Sequence, residues 1–473
     1  MSQTITIDPV TRLEGHGKIT IQLNDKNEVE DAHFHVTQVR GFERFSEGRP
    51  FYEMPSLMAR ICGICPVSHL IASAKACEAI MSVRIPPTAA QLRRMLNLAQ
   101  MVQSHALSFF YLASPDLLLG MEFDPATRNI LGVAAAKPEL GRAGIGLRRF
   151  GQSIIELLGS KRVHPGWVVP GGVTEPLTAA KRDEILGMIP EAYKNVGLAL
   201  DAYKRIAGKF KGEIAVFANF PSNYMSLINE DESIEFTDGT LRLVDAAGTT
   251  IEDGITASRF TEVIGEAVEP YSYTKFPYYK PLGYPAGSYR VGPLARLNIV
   301  KTLGTPRAEK EFAEFKQLAT GPVESSFYYH HARLVEMLYG IEKIEEILAD
   351  PKILDKHVRA TAGVNRLEGA GQAEAPRGVL NHHYKVDENG KMVWANLVIA
   401  TGQNNKAMNE GVLQAAKQYI KGGKFTEGIL NRVEAVVRTF DPCLSCSTHA
   451  FGQMPLSLEL ISAEDKVVDR IVR

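Results

Sequence analysis

Two Cys-x-x-Cys pairs, Cys62-Gly63-Ile64-Cys65 near the start and Cys443-Leu444-Ser445-Cys446 near the end, constrain this chain more than anything else in it. Thiolates are soft, polarisable donors, so four of them together suit zinc, an iron–sulfur cluster, or a nickel or copper centre. A single site built from both pairs requires the two ends of the chain to meet, and so it closes late in folding. Small zinc modules keep their pairs within a few tens of residues of each other. Here the gap runs from residue 65 to residue 443, which makes a local zinc staple the minority reading. A thioredoxin-like redox pair is also weak, because neither motif follows an evident strand in a compact strand–helix–strand unit.

The residues around the pairs resemble the two active-site motifs of nickel–iron hydrogenase large subunits. These are Arg60-Ile61-Cys62-Gly63-Ile64-Cys65-Pro66 with His69, and Asp441-Pro442-Cys443 through Cys446 with His449. Three further stretches resemble motifs of that family in the expected order: Asp8-Pro9-Val10-Thr11-Arg12-Leu13-Glu14-Gly15-His16, Arg40-Gly41-Phe42-Glu43 and Ala375-Pro376-Arg377-Gly378. The compact length and cytosolic character look most like the bidirectional, NAD-linked type. The resemblance implies an α+β fold, predominantly α, with a long-helix bundle core and small peripheral β-sheets.

Composition agrees with a soluble globular protein: 473 residues, 45% hydrophobic and 23% charged. No apolar run is long enough to span a bilayer, and the N-terminus lacks a basic segment followed by an apolar one, so neither membrane insertion nor an export signal is expected. A net charge of -1 gives no electrostatic case for nucleic acid. Five cysteines, four of them in ligand pairs, argue for a reducing, cytoplasmic setting rather than a disulfide framework. Cys77 is left over, and in its Ala- and Leu-rich helical context it reads as a buried structural thiol.

Along the chain, a β-rich opening (about 1–40) has strands at Thr4–Ile7, Lys18–Leu23 and Val29–Gln38. A helical core (about 54–210) follows, with Leu92, Leu96, Ala99, Val102 and Ala106 marking one face of a helix over Thr88–Ala113. Further helices are expected over Gly141–Gly159 and Ala179–Gly208. Asp238-Gly239 between Ile234–Thr237 and Leu241–Leu243 predicts a hairpin within a β excursion (about 233–256). Tyr271–Tyr289 reads as an aromatic loop lying on other protein surface. Helices return at Arg307–Leu318 and Phe327–Leu348, and strands at Val379–Asp387 and Met392–Ile399. No repeat or linker stands out, so residues 1–449 read as one interwoven catalytic unit.

What the resemblance implies residue by residue is specific. Cys62, Cys65, Cys443 and Cys446 hold nickel, and Cys65 and Cys446 also bridge to an iron carrying cyanide and carbon monoxide. Arg377, stiffened by Pro376, supplies the planar donor fork that such diatomic ligands need; Thr401 contacts a second cyanide, and Asp441 anchors the arginine side. Glu14 relays protons, provided that burial brings its carboxyl toward neutral pH. Glu43, His449 and the Leu397 carbonyl form a magnesium-like site, and His69 hydrogen-bonds a bridging thiolate. Many family members carry an aspartate on the long helix where this chain has Ser104, whose hydroxyl cannot pair ionically with Arg377.

With its four paired cysteines consumed at the metal, the chain has no electron carrier of its own, and Gly144-Ile145-Gly146-Leu147 fails the dinucleotide fingerprint. Iron–sulfur clusters, flavin and NAD are therefore expected on partners: diaphorase subunits and the iron–sulfur small subunit of a hydrogenase. An F420-linked relative, a non-catalytic scaffold like the quinone-site subunit of respiratory complex I, and a zinc-stapled scaffold remain as alternatives. Ala450–Arg473 lies beyond the histidine at which mature large subunits of this family end. The chain thus looks like a precursor, from which a maturation endopeptidase would remove 450–473 by cutting His449-Ala450. On this reading the tail keeps Cys443 and Cys446 accessible until nickel-insertion factors have acted; a final strand packed on the core is the other reading.

Overall fold

The computed structural model describes residues 3–449, 457–462 and 466–472. It begins with an antiparallel sheet in the order β1 (Gln3–Ile7), β2 (Gly17–Leu23), β3 (Val29–Val36). Ile19, Ile21 and Leu23 alternate into the core, and the Asn409 side chain caps the Phe34 amide at 2.8 Å, tying the sheet to the helix Asn405–Tyr419. The connection from β1 to β2 is the Asp8–His16 stretch, so the sheet's register decides where Glu14 sits.

Five long helices make the bundle: Pro66–Met81, Pro87–Ala106, Pro138–Gly159, Ala179–Ala207 and Tyr329–Ala349. The last comes from far outside the 54–210 stretch yet packs against Pro87–Ala106 and Ala179–Ala207, so the helical core draws on more of the chain than its local pattern predicts. Prolines at the start of the first three cost nothing, since a first-turn amide has no intrahelical partner. Pro66–Met81 is buried nearly all round, as its lack of a polar stripe requires.

That helix lies flush on the strand Glu368–Ala375 of a second antiparallel sheet, completed by Gly378–Val386 and Met392–Val398. Glycines permit the approach: a Cβ on Gly371 would stand 2.1 Å from the Ala72 carbonyl oxygen and 2.5 Å from the Ala76 nitrogen. Because both are backbone atoms of a packed helix, Gly371→Ala is expected to cost about 1–3 kcal/mol, the usual penalty of overpacking. A lowered thermal midpoint checks this; an unchanged midpoint would mean that the helix shifts freely.

Local expectations fail in three places. Thr88–Ala113 is α-helical only to Ala106 and then widens into π-helix over Leu107–Ala113 and again over Pro115–Leu119. Ile234–Thr237 is not a strand. The Glu235 carboxylate accepts the amides of Phe236, Thr237 and Asp238 at 2.8, 2.7 and 3.1 Å, satisfying groups that a ladder would otherwise pair. The β excursion is instead Asn223–Ile228, Thr240–Val244 and Thr250–Ile255, edged by Tyr289–Arg290 in parallel. Within Tyr271–Tyr289, Phe276–Tyr279 pairs with Ile264–Ala267, so this segment is part strand.

The tail forms an antiparallel hairpin, Ser457–Ile461 with Val467–Val472. Leu460 and Val468 of this hairpin are 62% and 63% exposed.

Candidate metal centre

The two cysteine pairs meet inside the main hydrophobic cluster, of which all four are members. Cys62 ends a 3₁₀ turn, and its sulfur accepts the amides of Ile64 and Cys65, each at 3.2 Å. Cys65 then caps the helix Pro66–Met81. On the other side the helix Glu427–Phe440 stops at Asp441, whose left-handed backbone (φ 55°) turns the chain into the Cys443–Cys446 loop. The Sγ atoms lie 3.4 Å apart for Cys62 and Cys443, 3.8 Å for Cys65 and Cys446, and 2.7 Å for Cys443 and Cys446. All four are free thiols, buried, and within 4.8 Å of one another.

The three neighbouring sulfurs hold the Cys65 thiol well below its ordinary range, while burial pushes Cys443 and Cys446 well above theirs. Four sulfurs that share the charge of a thiolate, with no water to solvate it, match a soft cation that would displace the remaining protons. Cys77 stands apart, its Sγ 3.1 Å from the Phe51 carbonyl.

Arg377 sits beside this cluster at the tip of a two-residue turn between Ala375 and Gly378. Its Nε donates to the Asp441 carbonyl at 2.5 Å, Nη2 to Asp441 Oδ1 at 3.1 Å and Nη1 to the Ser104 hydroxyl at 3.4 Å. Burial alone would lower it, but Asp441 and the cysteine sulfurs more than offset this and hold it well above its ordinary range. The Thr401 hydroxyl accepts the Cys443 amide at 3.0 Å, which leaves its own proton to donate.

Glu14 is wound into the second cysteine loop. Its carbonyl accepts the Leu444 amide at 3.0 Å, its Oε2 accepts the Ser445 amide at 3.1 Å, and its Oε1 accepts the Ser445 hydroxyl. Glu43, Leu397 and His449 line one small pocket with Lys275 and Glu266. Burial pushes the Glu43 carboxyl up to about 7, and both ring nitrogens of the buried His449 lack partners. The group of Leu397 that touches Glu43 is its amide, at 2.8 Å. Its carbonyl lies on the same side of the strand, since both main-chain groups of a strand residue do. A half-buried carboxyl, an imidazole and a carbonyl are donors that a small cation could use, with the Lys275 ammonium neutralised by Glu266.

His69 and His382 meet at 3.2 Å through Nδ1 and Nε2, leaving His69 Nε2 without a partner. Sequence reading missed His382, the Tyr384 hydroxyl that holds its other nitrogen at 2.7 Å, and Ser445. Only Ser445 carried a signal, because it stands between two candidate ligands. The four sulfurs converge and His449 is buried; Ala450, the other half of the expected cleavage bond, lies outside the described residues.

Comparison with known proteins agrees with this geometry. Residues 40–126 and 211–449 match the family described as nickel-dependent hydrogenase, and residues 4–39 one described as HoxL-like. The chain is 40% identical to the NAD-reducing hydrogenase HoxS subunit beta of Cupriavidus necator over 100% of both chains. It is also 40% identical to a chain of the vhc F420-non-reducing hydrogenase of Methanococcus voltae, over 96% of this chain and 97% of that one. Among solved structures, an NAD+-reducing NiFe hydrogenase in the H2-reduced state matches with a TM-score of 0.92 and 44% identity, over 94% of this chain and 99% of the other. The NiFeSe hydrogenase of D. vulgaris Hildenborough, 24% identical with a TM-score of 0.75, shares the fold.

Proposed function

The chain belongs to the nickel-dependent hydrogenase family, and on that premise we propose that it is the H2-activating subunit of an NAD-linked, cytoplasmic enzyme. The observation that carries this reading is the convergence of Cys62, Cys65, Cys443 and Cys446 on one buried point beside a charged Arg377. When bound there, a nickel–iron group supplies the centre at which H2 is split heterolytically.

The protein's own residues do the rest. Cys62, Cys65, Cys443 and Cys446 would hold nickel, and Cys65 and Cys446 would hold iron as well. Arg377 and Thr401 would offer donors to the cyanides of a bound iron, and Asp441 steadies the arginine. Glu14 takes a proton at its carboxylate, which the Ser445 amide orients. His69 presents Nε2 to a bridging sulfur while His382 holds its other face. Glu43, Leu397 and His449 would hold magnesium. An intact cysteine quartet argues against a scaffold of the complex I kind, and the similarity to an NAD-reducing relative favours NAD over F420.

Electrons leave through partners, namely diaphorase subunits and an iron–sulfur small subunit. No helix among the described residues is long and apolar enough to cross a membrane. Residues 1–449 form the catalytic unit, and 450–473 an extension that a maturation endopeptidase removes at His449-Ala450 after nickel-insertion factors have acted.

One preparation tests all of this. The complex purified with its partners should contain nickel and iron, reduce NAD+ with H2, and carry a catalytic chain whose intact mass ends at His449; protein from nickel-starved cells should keep the tail. Zinc alone would sink the hydrogenase reading, and an active, nickel-loaded chain ending at Arg473 would sink the processing.

A further inference from the structure

Arg377 occupies a turn tip, and the side-chain group at its Nη1 is a serine hydroxyl at 3.4 Å, which offers no ion pair. Asp441 holds its Nε and Nη2, and the backbone that carries the side chain needs an anchor of its own. The two carbonyls that precede it, those of Ala375 and Pro376, each accept a hydrogen bond from the Arg296 guanidinium at 3.2 Å, from Nη1 and Nη2 respectively. Arg296 is fully buried on the short helix Pro293–Ile299, and Gly292 at that helix's start approaches so closely that a Cβ there would stand 2.6 Å from the Arg377 carbonyl oxygen.

Arg296 is itself held on both sides. Its Nε and Nη2 each meet a Glu336 oxygen at 2.7 Å, a bidentate fork from the helix Tyr329–Ala349, and its Nη1 meets Glu374 at 2.6 Å. His105 Nε2 joins Glu336 at 2.8 Å, and burial pushes His105 down to about 4, so Arg296 is the cation that answers Glu336. Since His105 follows Ser104 and Pro376 precedes Arg377, the contacts close a ring: Arg377, Ser104, His105, Glu336, Arg296, Pro376 and back to Arg377. Glu336, Arg296 and His105 are all buried.

We propose that Arg296, fixed by Glu336, is a positioning residue for hydrogen activation: it clamps the backbone immediately before Arg377 and so sets where the Arg377 fork points. This rests on the hydrogenase reading above. Lysine keeps the charge but has no planar fork to span Glu336 and two carbonyls at once. Without the clamp the turn relaxes, and a displacement on the order of 1 Å at a catalytic group costs up to about a hundredfold in rate.

The test is made on the purified complex carrying Arg296→Lys, with Glu336→Gln as a milder variant that keeps Arg296 and neutralises its partner. Nickel and iron content, H2-dependent NAD+ reduction and the infrared bands of the iron's diatomic ligands are measured side by side. Expected are wild-type metal content, turnover lower by about ten- to a hundredfold, and displaced bands, with the smaller displacement in Glu336→Gln. A merely structural role would not move the bands of fully loaded enzyme. Wild-type bands and turnover in loaded Arg296→Lys would overturn the proposal. So would failure of both variants to accumulate loaded enzyme, since the pair would then be holding the fold. Wild-type complex without nickel would defeat the underlying hydrogenase reading instead.

Discussion

Cys443→Ser is expected to leave the complex without nickel and without H2 activity. The Cys443 sulfur is the most crowded of the four, 2.7 Å from Cys446 and 3.4 Å from Cys62, and it is buried with them. A serine oxygen is a harder donor that does not ionise near neutral pH, so the site loses both softness and charge. The loop should otherwise survive, because the Cys443 amide still has the Thr401 hydroxyl and Glu14 still holds the amides of Leu444 and Ser445. Loss of metal without loss of fold is thus the predicted signature, read by elemental analysis beside circular dichroism. Cys77→Ala provides the contrast: burial pushes that thiol up, it sits against Phe51, and its removal should cost packing alone. Full nickel and normal turnover in Cys443→Ser would refute the assignment, and metal loss in Cys77→Ala would show that the fifth cysteine had been misread.

How much of this was legible in the sequence follows from how local each signal is. The helices of the bundle announce themselves through apolar spacing, and the two cysteine pairs through identical spacing at opposite ends. The Ile234–Thr237 hairpin failed because a single side chain, Glu235, outcompeted the ladder for three amides, and periodicity does not register such a competitor. The π-helical widening after Ala106 is equally silent, since apolar residues continue through it at plausible spacing. The catalytic candidates that rest on motifs were readable, because ligand pairs and the residues beside them share a few consecutive positions. Those that hold them in place were not: Arg296, Glu336 and His382 reach the site from distant segments, and an isolated arginine or glutamate in a helical stretch reads as a solvated face. Their role appears only once burial removes water and leaves their charges nothing else to pair with.

The same contrast between buried cluster and solvent shapes the expectation for Glu14→Gln, which should keep nickel and iron yet lower turnover by roughly a hundredfold or more, the usual share of a positioned proton donor or acceptor. Glu14 stands between the buried cluster and solvent: it touches the loop between two buried cysteines, while His16, two residues on, is exposed. Glutamine reproduces the contacts. Its carbonyl can accept the Ser445 amide, and its amide can donate to the Ser445 oxygen, whose hydroxyl bonds the carboxylate in the native protein. Shape and fold are therefore preserved while titration is lost, so reduced activity cannot be charged to a collapsed loop. Ser445→Ala makes the opposite change, keeping the carboxylate but removing one of its anchors, and should cost less. Hydrogen–deuterium exchange with H2 as substrate separates these outcomes from electron transfer, since it requires no partner to accept electrons. Exchange at the wild-type rate in metal-loaded Glu14→Gln would take Glu14 out of the relay and move the search to the buried His69–His382 pair.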